Sequence, residues 1–289
     1  MNRLKKYLRN STKLALVTSL FVFFSSCILK KPSFEKDRLE QKIKNIINKD
    51  LGIKTVSKQV GKTLYIYIPV EKTVVRLIRS KKDSNPPSVF DSFYKDEIFI
   101  LKYTDKNLPP QRKFFKNITT YFTDYMQSTQ QRIMNILYGA INDISDDIDF
   151  FVIYISDISG GIEVKQTIFV KDLKRSAAGA LPWMEFNKRV LIESIGDKKI
   201  IGDRLGEHLD YEEIKLGDFI SDLLIYNLFQ SEKPKGQKVS DYAQEVFYQI
   251  VKDYKFNDYK YLLLEDVVSE KDKIIYPFEL NETATNSPE

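Results

Sequence analysis

The chain has one cysteine, one histidine and one tryptophan among 289 residues. A single thiol can form no internal disulfide, and with Cys27 set aside none remains for Cys–His catalysis. Zinc sites need three or four His, Cys, Asp or Glu ligands. With Cys27 set aside, such a site would require His208 together with carboxylates such as Glu207 and Asp210. A Ser–His–Asp triad would depend wholly on the same imidazole, and no serine sits in a G-x-S-x-G turn. His208 is therefore expected as a loop or packing residue, with no metal and no cofactor. The chain also lacks a long apolar run: Leu14–Phe24 is 11 residues, or 16 if extended to Leu29. A spanning helix needs about 20.

That short run has a distinct setting. Residues 1–13 carry Arg3, Lys5, Lys6, Arg9 and Lys13 and no acid, and after Phe24 come Ser25, Ser26 and Cys27. A basic start, a short apolar stretch and small residues at its exit describe an export signal. The residues Phe24-Ser25-Ser26-Cys27 resemble the lipobox of bacterial lipoproteins, in its relaxed, spirochaete-type form, since the usual leucine is replaced by Phe24. The resemblance covers only the first 27 residues. It implies cleavage after residue 26 and a diacylglycerol thioether on Cys27. One acyl chain binds a bilayer marginally, whereas two or three hold firmly. Seven residues separate Cys27 from the first helical pattern, a reach of roughly 25 Å. The expected domain plan is a signal peptide at 1–26, a tether at 27–33, one globular domain at 34–280 with a sub-boundary near 172–180, and a disordered tail at 281–289.

Cleavage would also change the charge. The full chain has 45 basic and 40 acidic side chains, and the leader holds five of the bases and none of the acids. The mature chain is formally neutral, without the excess of base that a nucleic-acid surface requires. Its 43% apolar and 13% aromatic content supports a folded globule rather than a disordered coat.

Periodicity gives a coarse map. Ile43, Ile46 and Ile47 repeat at helical spacing, and Gly52 is a C′ stop. Thr55–Val60 and Thr63–Val70 read as strands turning at Gly61-Lys62; Arg79–Ser88 reads as a break; Glu97–Tyr103 reads as a strand. The strongest helical pattern runs from Gln111 to Ile144, after Pro109-Pro110. Asp149–Asp157 and Ile162–Val170 form a hairpin at Ser159-Gly160-Gly161. Helices are expected at Leu181–Ile195, Ile214–Phe229 and Val239–Tyr254, the last with Ser240 as N-cap, and Tyr259–Val268 as a closing strand. Helix–strand–strand occurs at 34–70 and again at 111–170. The fold class that follows is α+β: a largely antiparallel sheet with helices packed on one face and a helical second half.

Other candidates dissolve on spacing. Gly61-Lys62-Thr63 ends like a P-loop, but Val56 stands where that motif needs glycine, so it reads as a hairpin turn. Asp143, Asp146, Asp147 and Asp149 fail as a calcium loop, since positions six and twelve are Ile148 and Tyr154. They read as a solvated connection. Glu185 with Glu193, or Asp203 with Glu207, are the carboxylate pairs that a glycosidase-type mechanism would draft. Trp183 reads as a core residue on an amphipathic helix, with a binding surface as the alternative. Asp253–Tyr261 mimics a stacking platform but reads as a helix end followed by an edge strand.

The function expected is that of a non-enzymatic, lipid-anchored envelope module on the periplasmic face that binds another protein near the membrane or serves the envelope structurally, with no nucleic acid. A surface lipoprotein contacting host molecules is the alternative, and a carboxylate-dependent hydrolase of envelope polymer is the remote one.

Overall fold

The computed structural model describes residues 36–79, 88–104, 118–140, 142, 147–230, 233–234 and 236–277. The leader, Cys27, the tether, Pro109-Pro110, Asp143, Asp146 and the 281–289 tail lie outside the described residues. Helix α1 (Lys36–Leu51) is followed by β1 (Val56–Val60) and β2 (Thr63–Val70). Gly52 closes α1 at φ 68°, its N–H donating to the Asn48 carbonyl at 3.0 Å, the left-handed stop that a residue without Cβ adopts freely.

Strands β7 (Phe150–Asp157) and β8 (Ile162–Phe169) form the expected hairpin, and β9 (Leu191–Gly196) completes a five-stranded sheet in the order β1-β2-β7-β8-β9. All its pairs are antiparallel except β2–β7, which run parallel from Thr63↔Phe150 to Val70↔Asp157. Both central strands are buried at every position. Strands buried on both faces read as continuous apolar runs, which TLYIYIPV and FFVIYISD are.

Since opposed residues share a face, the register sorts the sheet into two surfaces. One carries Tyr65, Tyr67, Tyr154, Ser156, Glu163 and Lys165; the other carries Leu64, Ile66, Phe151, Ile153, Val164, Gln166, Ile168 and Ile192. The first is aromatic and polar. The second is aliphatic, with Gln166 as its inner exception.

Strands β3 (Val75–Arg79) and β6 (Ile118–Phe122) pair antiparallel, and β4 (Ser88–Lys95) pairs with β5 (Ile98–Thr104). The helix expected from Gln111 therefore begins later, as α2 (Asp124–Gly139). Thr119, Thr120 and Ile118 are β-branched and stiff at χ1, and their pairing with β3 outweighs the apolar period. Thr123 then caps α2, its Oγ1 accepting from the Met126 N–H at 3.2 Å. Part of the expected break at 79–88 is likewise strand.

The region 170–196 also differs from expectation, which put a single helix at Leu181–Ile195. It holds α3 (Val170–Ala177), α4 (Trp183–Lys188) and then β9. Pro182 starts α4, and the Val190-Leu191-Ile192 run leaves it for the sheet edge.

Helices α5 (Leu216–Gln230) and α6 (Val239–Tyr254) match expectation closely. The N-cap of α6 is Lys238, without a side-chain bond; Ser240 lies inside the first turn. Strands β10 (Tyr261–Asp266) and β11 (Lys271–Ile275) join a second sheet in the order β11-β10-β5-β4. β10 is thus an interior strand, not an edge. Phe99, Leu101, Leu262 and Leu264 from this sheet are buried against Phe219, Leu223, Leu224, Phe247 and Ile250 of the helix pair. Phe219 continues to Phe150 and Phe169 of the first sheet, with centroids at 5.2 and 6.2 Å. The fold is α+β, with helices packed against mostly antiparallel sheets.

One ionic cluster holds α3, α4 and α6 together. The Arg189 guanidinium donates to Asp253 Oδ2 at 3.0 Å and to Glu185 Oε1 at 3.3 Å, and lies 3.7 Å from buried Asp172 Oδ1. Burial pushes the Asp172 carboxyl up, against the pull of Arg189 and Arg175. Removing one partner of a buried pair leaves an uncompensated charge. Arg189→Ala should therefore cost about 3 kcal/mol in urea unfolding. Arg189→Lys should restore only part of it, because one ammonium cannot serve three carboxylates in the planar geometry of the fork. A wild-type midpoint for Arg189→Ala would refute this role.

Candidate functional site

Helix α2 presents Gln127, Gln130 and Gln131 at i, i+3 and i+4, the spacing that places side chains on one helix face. They form one wall of an open groove of about 250 Å³. Trp183, Phe186 and Asn187 repeat the same spacing on α4 and line the groove as well. Met134, Val190 and Ile192 supply apolar surface between them. Every side chain lining this groove is uncharged.

Trp183 is 45% exposed and neighbouring Met184 is 77% exposed. The indole is not a core residue, because a six-residue helix buries only Phe186 and leaves the ring at the rim. It stands 5.6 Å from Phe186 and 6.1 Å from Tyr138, both tilted. The aromatic pile fixes the ring while one side meets solvent.

Gln166 lies in the same groove, on β8, opposite Ile192. It is 1% exposed, and its Nε2 has no hydrogen-bond partner. A buried polar group left unmade costs roughly 1–3 kcal/mol. Sequence reasoning missed this residue and the row of glutamines. The signal was present: Ile162, Val164, Gln166 and Ile168 alternate along β8, and an amide interrupts an otherwise aliphatic stripe.

His208 stands on the opposite face of the sheet, within a loop whose Leu209, Tyr211 and Ile214 pack on Tyr65, Tyr67 and Tyr154. Its Nδ1 is 2.5 Å from Asp203 Oδ2 and its Nε2 is 3.0 Å from Glu163 Oε2. Ser156 Oγ donates to the same Glu163 oxygen at 2.9 Å. The Leu205, Gly206 and His208 backbone N–H groups all donate to Asp203, and Tyr67 Oη donates to its carbonyl. Ser156 and Glu163 are 0% and 2% exposed. The imidazole faces carboxylates on both nitrogens, which makes it a clamp rather than the base of a triad. Burial disfavours its charge, yet the hydrogen bonds it makes to the Asp203 and Glu163 carboxylates outweigh that and raise its pKa. Burial likewise opposes the Asp203 charge, but the His208 ring and backbone donors hold its carboxyl below the usual range. Glu207 and Asp210 do not join this cluster as ligands. Among the described residues no group of three or more His, Cys, Asp or Glu is placed to hold a metal ion.

The other candidates are dispersed. Gly61-Lys62 is the β1–β2 turn; the Lys62 N–H donates to Glu213 and its Nζ pairs with Asp149 at 3.3 Å. Asp147 is exposed in a turn. Glu185 pairs with Arg189 on α4, whereas Glu193 lies on β9 and pairs with Lys165 at 2.9 Å. These two acids do not share a helix. Asp203 is committed to His208, and Glu207 is exposed in the turn beside it. In the 253–261 segment Tyr254, Phe256 and Tyr259 turn inward onto the core around Phe99 and Phe247, which leaves no stacking platform.

No family model, curated protein or solved structure matches the chain. No helix among the described residues is long and apolar enough to cross a membrane.

The clamp makes stability depend on pH. The folded pKa of His208 is raised, so its contribution is fully present below about 6.5 and fades as pH climbs through the folded value. The folded pKa of Asp203 is lowered, so its contribution is present above about 3.9 and fades as pH falls through the folded value. Urea midpoints should peak between about pH 5 and 6 and decline on the alkaline side. His208→Gln should flatten that alkaline decline; an unchanged slope in the variant would rule the clamp out as its source.

Proposed function

We propose that this chain is a lipid-anchored module of a bacterial cell envelope that recognises a ligand in the groove between α2 and α4 and has no catalytic role of its own. The observation that carries the reading is Trp183, held half-exposed at the rim of a groove whose walls are amides and apolar side chains. A large aromatic kept at the surface beside a concavity is the usual anchor of a binding site. The address rests on the lipobox-like Phe24-Ser25-Ser26-Cys27. Acylation of Cys27 would tie the domain to the bilayer, and a tether of about 25 Å would keep it near that surface. The periplasmic face is favoured, because the chain has no long polar stalk after Cys27. The partner is then a component of the envelope, approached by a domain with balanced charge.

Two measurements test this in intact cells making the full chain. Cys27→Ser should move the protein from the membrane to the soluble fraction, and intact-mass spectrometry should show acyl chains only on the wild type. A photoreactive residue at Met184, beside Trp183, should capture a defined envelope component; one at Leu205, exposed on the loop over the other sheet face, should not. A bare thiol on the wild-type protein overturns the address. Equal labelling from both positions, or none from Met184, overturns the groove.

A further inference from the structure

We infer that the groove is built for an uncharged, N-acetylated pyranose, with the acetamido group seated on Gln166. This rests on the reading of the groove as a binding site and goes further, to the class of its ligand.

The argument begins with charge. None of the side chains lining the groove is ionisable. The charges of α4 and its C-cap, Glu185, Lys188 and Arg189, pair with one another. A phosphate, carboxylate or ammonium entering here would lose its hydration with no opposite charge to replace it. The ligand is neutral.

Its polar groups follow from the wall. Primary amides donate and accept at once, as sugar hydroxyls do, and three glutamines on one face of α2 offer a row of such groups. The indole of Trp183 offers a flat apolar surface, and a pyranose ring carries axial C–H groups that such a face covers. An aromatic platform and a row of amides line the same groove, and together they suit a ring that is apolar on its faces and polar around its edge.

The floor narrows the class further. Gln166 lines the groove with Met134, Val190 and Ile192, and its Nε2 is buried there without a hydrogen-bond partner. A ligand group that fits must place an acceptor oxygen on that donor and a small apolar group beside it. An acetamido substituent does both, through its carbonyl and its methyl. A peptide backbone also carries carbonyls, but the groove lies below the usual range of about 300–1,000 Å³ for ligand pockets, which suits one ring and its substituent better than an extended segment.

Trp183 is the only tryptophan in the chain, so intrinsic tryptophan fluorescence reports on this rim alone. The full lipoprotein in detergent micelles would be titrated with N,N′-diacetylchitobiose. Cellobiose, which has the same linkage with hydroxyls in place of the acetamido groups, and N-acetyl-trialanine amide serve as comparisons. A saturable spectral change with diacetylchitobiose is expected, at least tenfold weaker with cellobiose and absent with the peptide. Gln166→Leu should weaken diacetylchitobiose binding about tenfold, consistent with loss of one buried hydrogen bond. It should also leave the urea midpoint unchanged or higher, since it removes the unpaired donor; a merely structural Gln166 would show the opposite pair of results. Trp183→Ala, followed by calorimetry, should abolish binding. Equal response to the two disaccharides, or no effect of Gln166→Leu, overturns the acetamido assignment. Binding of the peptide alone overturns the sugar class and leaves the groove reading intact. Absence of sugar binding where Met184 still captures an envelope component likewise defeats only this inference, whereas absence of both defeats the groove as well.

Discussion

The parallel pairing of β2 with β7 is the constraint on which the rest of this structure depends. Eight residues of each strand are in register, and none of the sixteen reaches solvent. Burying a single Val, Leu, Ile or Phe side chain contributes roughly 1.5–3 kcal/mol, so this seam is the main apolar investment of the first sheet. It is also costly to reach. The partners are separated by more than seventy residues that include β3 to β6 and α2, and the loop must close before the seam rewards it. The flanking hairpins, β1–β2 and β7–β8, are local. Each forms half a sheet, and the parallel seam makes them one.

That seam creates two faces with different uses of polarity. On one, Ser156, Glu163 and Lys165 sit among tyrosines, and each finds a partner: Ser156 donates to Glu163, Glu163 faces His208, and Lys165 meets Glu193. Polar atoms there fasten a long loop to the sheet. On the other face Gln166 stands among aliphatic neighbours, and its Nε2 finds none. The contrast is informative because both residues lie on β8, three positions apart. The same strand satisfies its polar groups where it holds the fold together and leaves one open where it borders a groove.

Much of the fold was legible because burial dictates it. TLYIYIPV and FFVIYISD could be little else than central strands, and the apolar period of α6 gave both its ends. Reading failed where local pattern and tertiary pairing compete. Ile118–Phe122 falls on the helical period of Phe122, Met126 and Ile133, yet its β-branched residues pair with β3, a strand too short to announce itself. Val190-Leu191-Ile192 extends the apolar spacing of Trp183 and Phe186, yet it is drawn to the free edge of β8. Lys271–Ile275 is polar at three of five positions and exposed at four, and is strand only because β10 lies beside it. The candidate site was less legible still. Trp183 was visible but was assigned to the interior on the strength of a helix that proved to be one and a half turns. Glutamines are quiet residues, and nothing in a single sequence says that Gln127, Gln130 and Gln131 face the same space as Gln166.

The two walls of the groove are not equally self-sufficient, and this bears on how it works. Helix α2 has sixteen residues, a side-chain N-cap and five buried positions, so its glutamines stand on a rigid support. Helix α4 has six residues and no side-chain cap, well short of the length at which a helix holds itself. Its position depends on Arg189, which reaches across to Asp172 on α3 and Asp253 on α6. The exposed indole is thus carried by the least autonomous helix, steadied by charges that lie outside the groove. Placing the ions there solves two problems together. The indole is held in place beside the amide row, and the lining between them stays uncharged, so a ligand of the proposed kind would be met by shape and hydrogen bonding without a charge to desolvate.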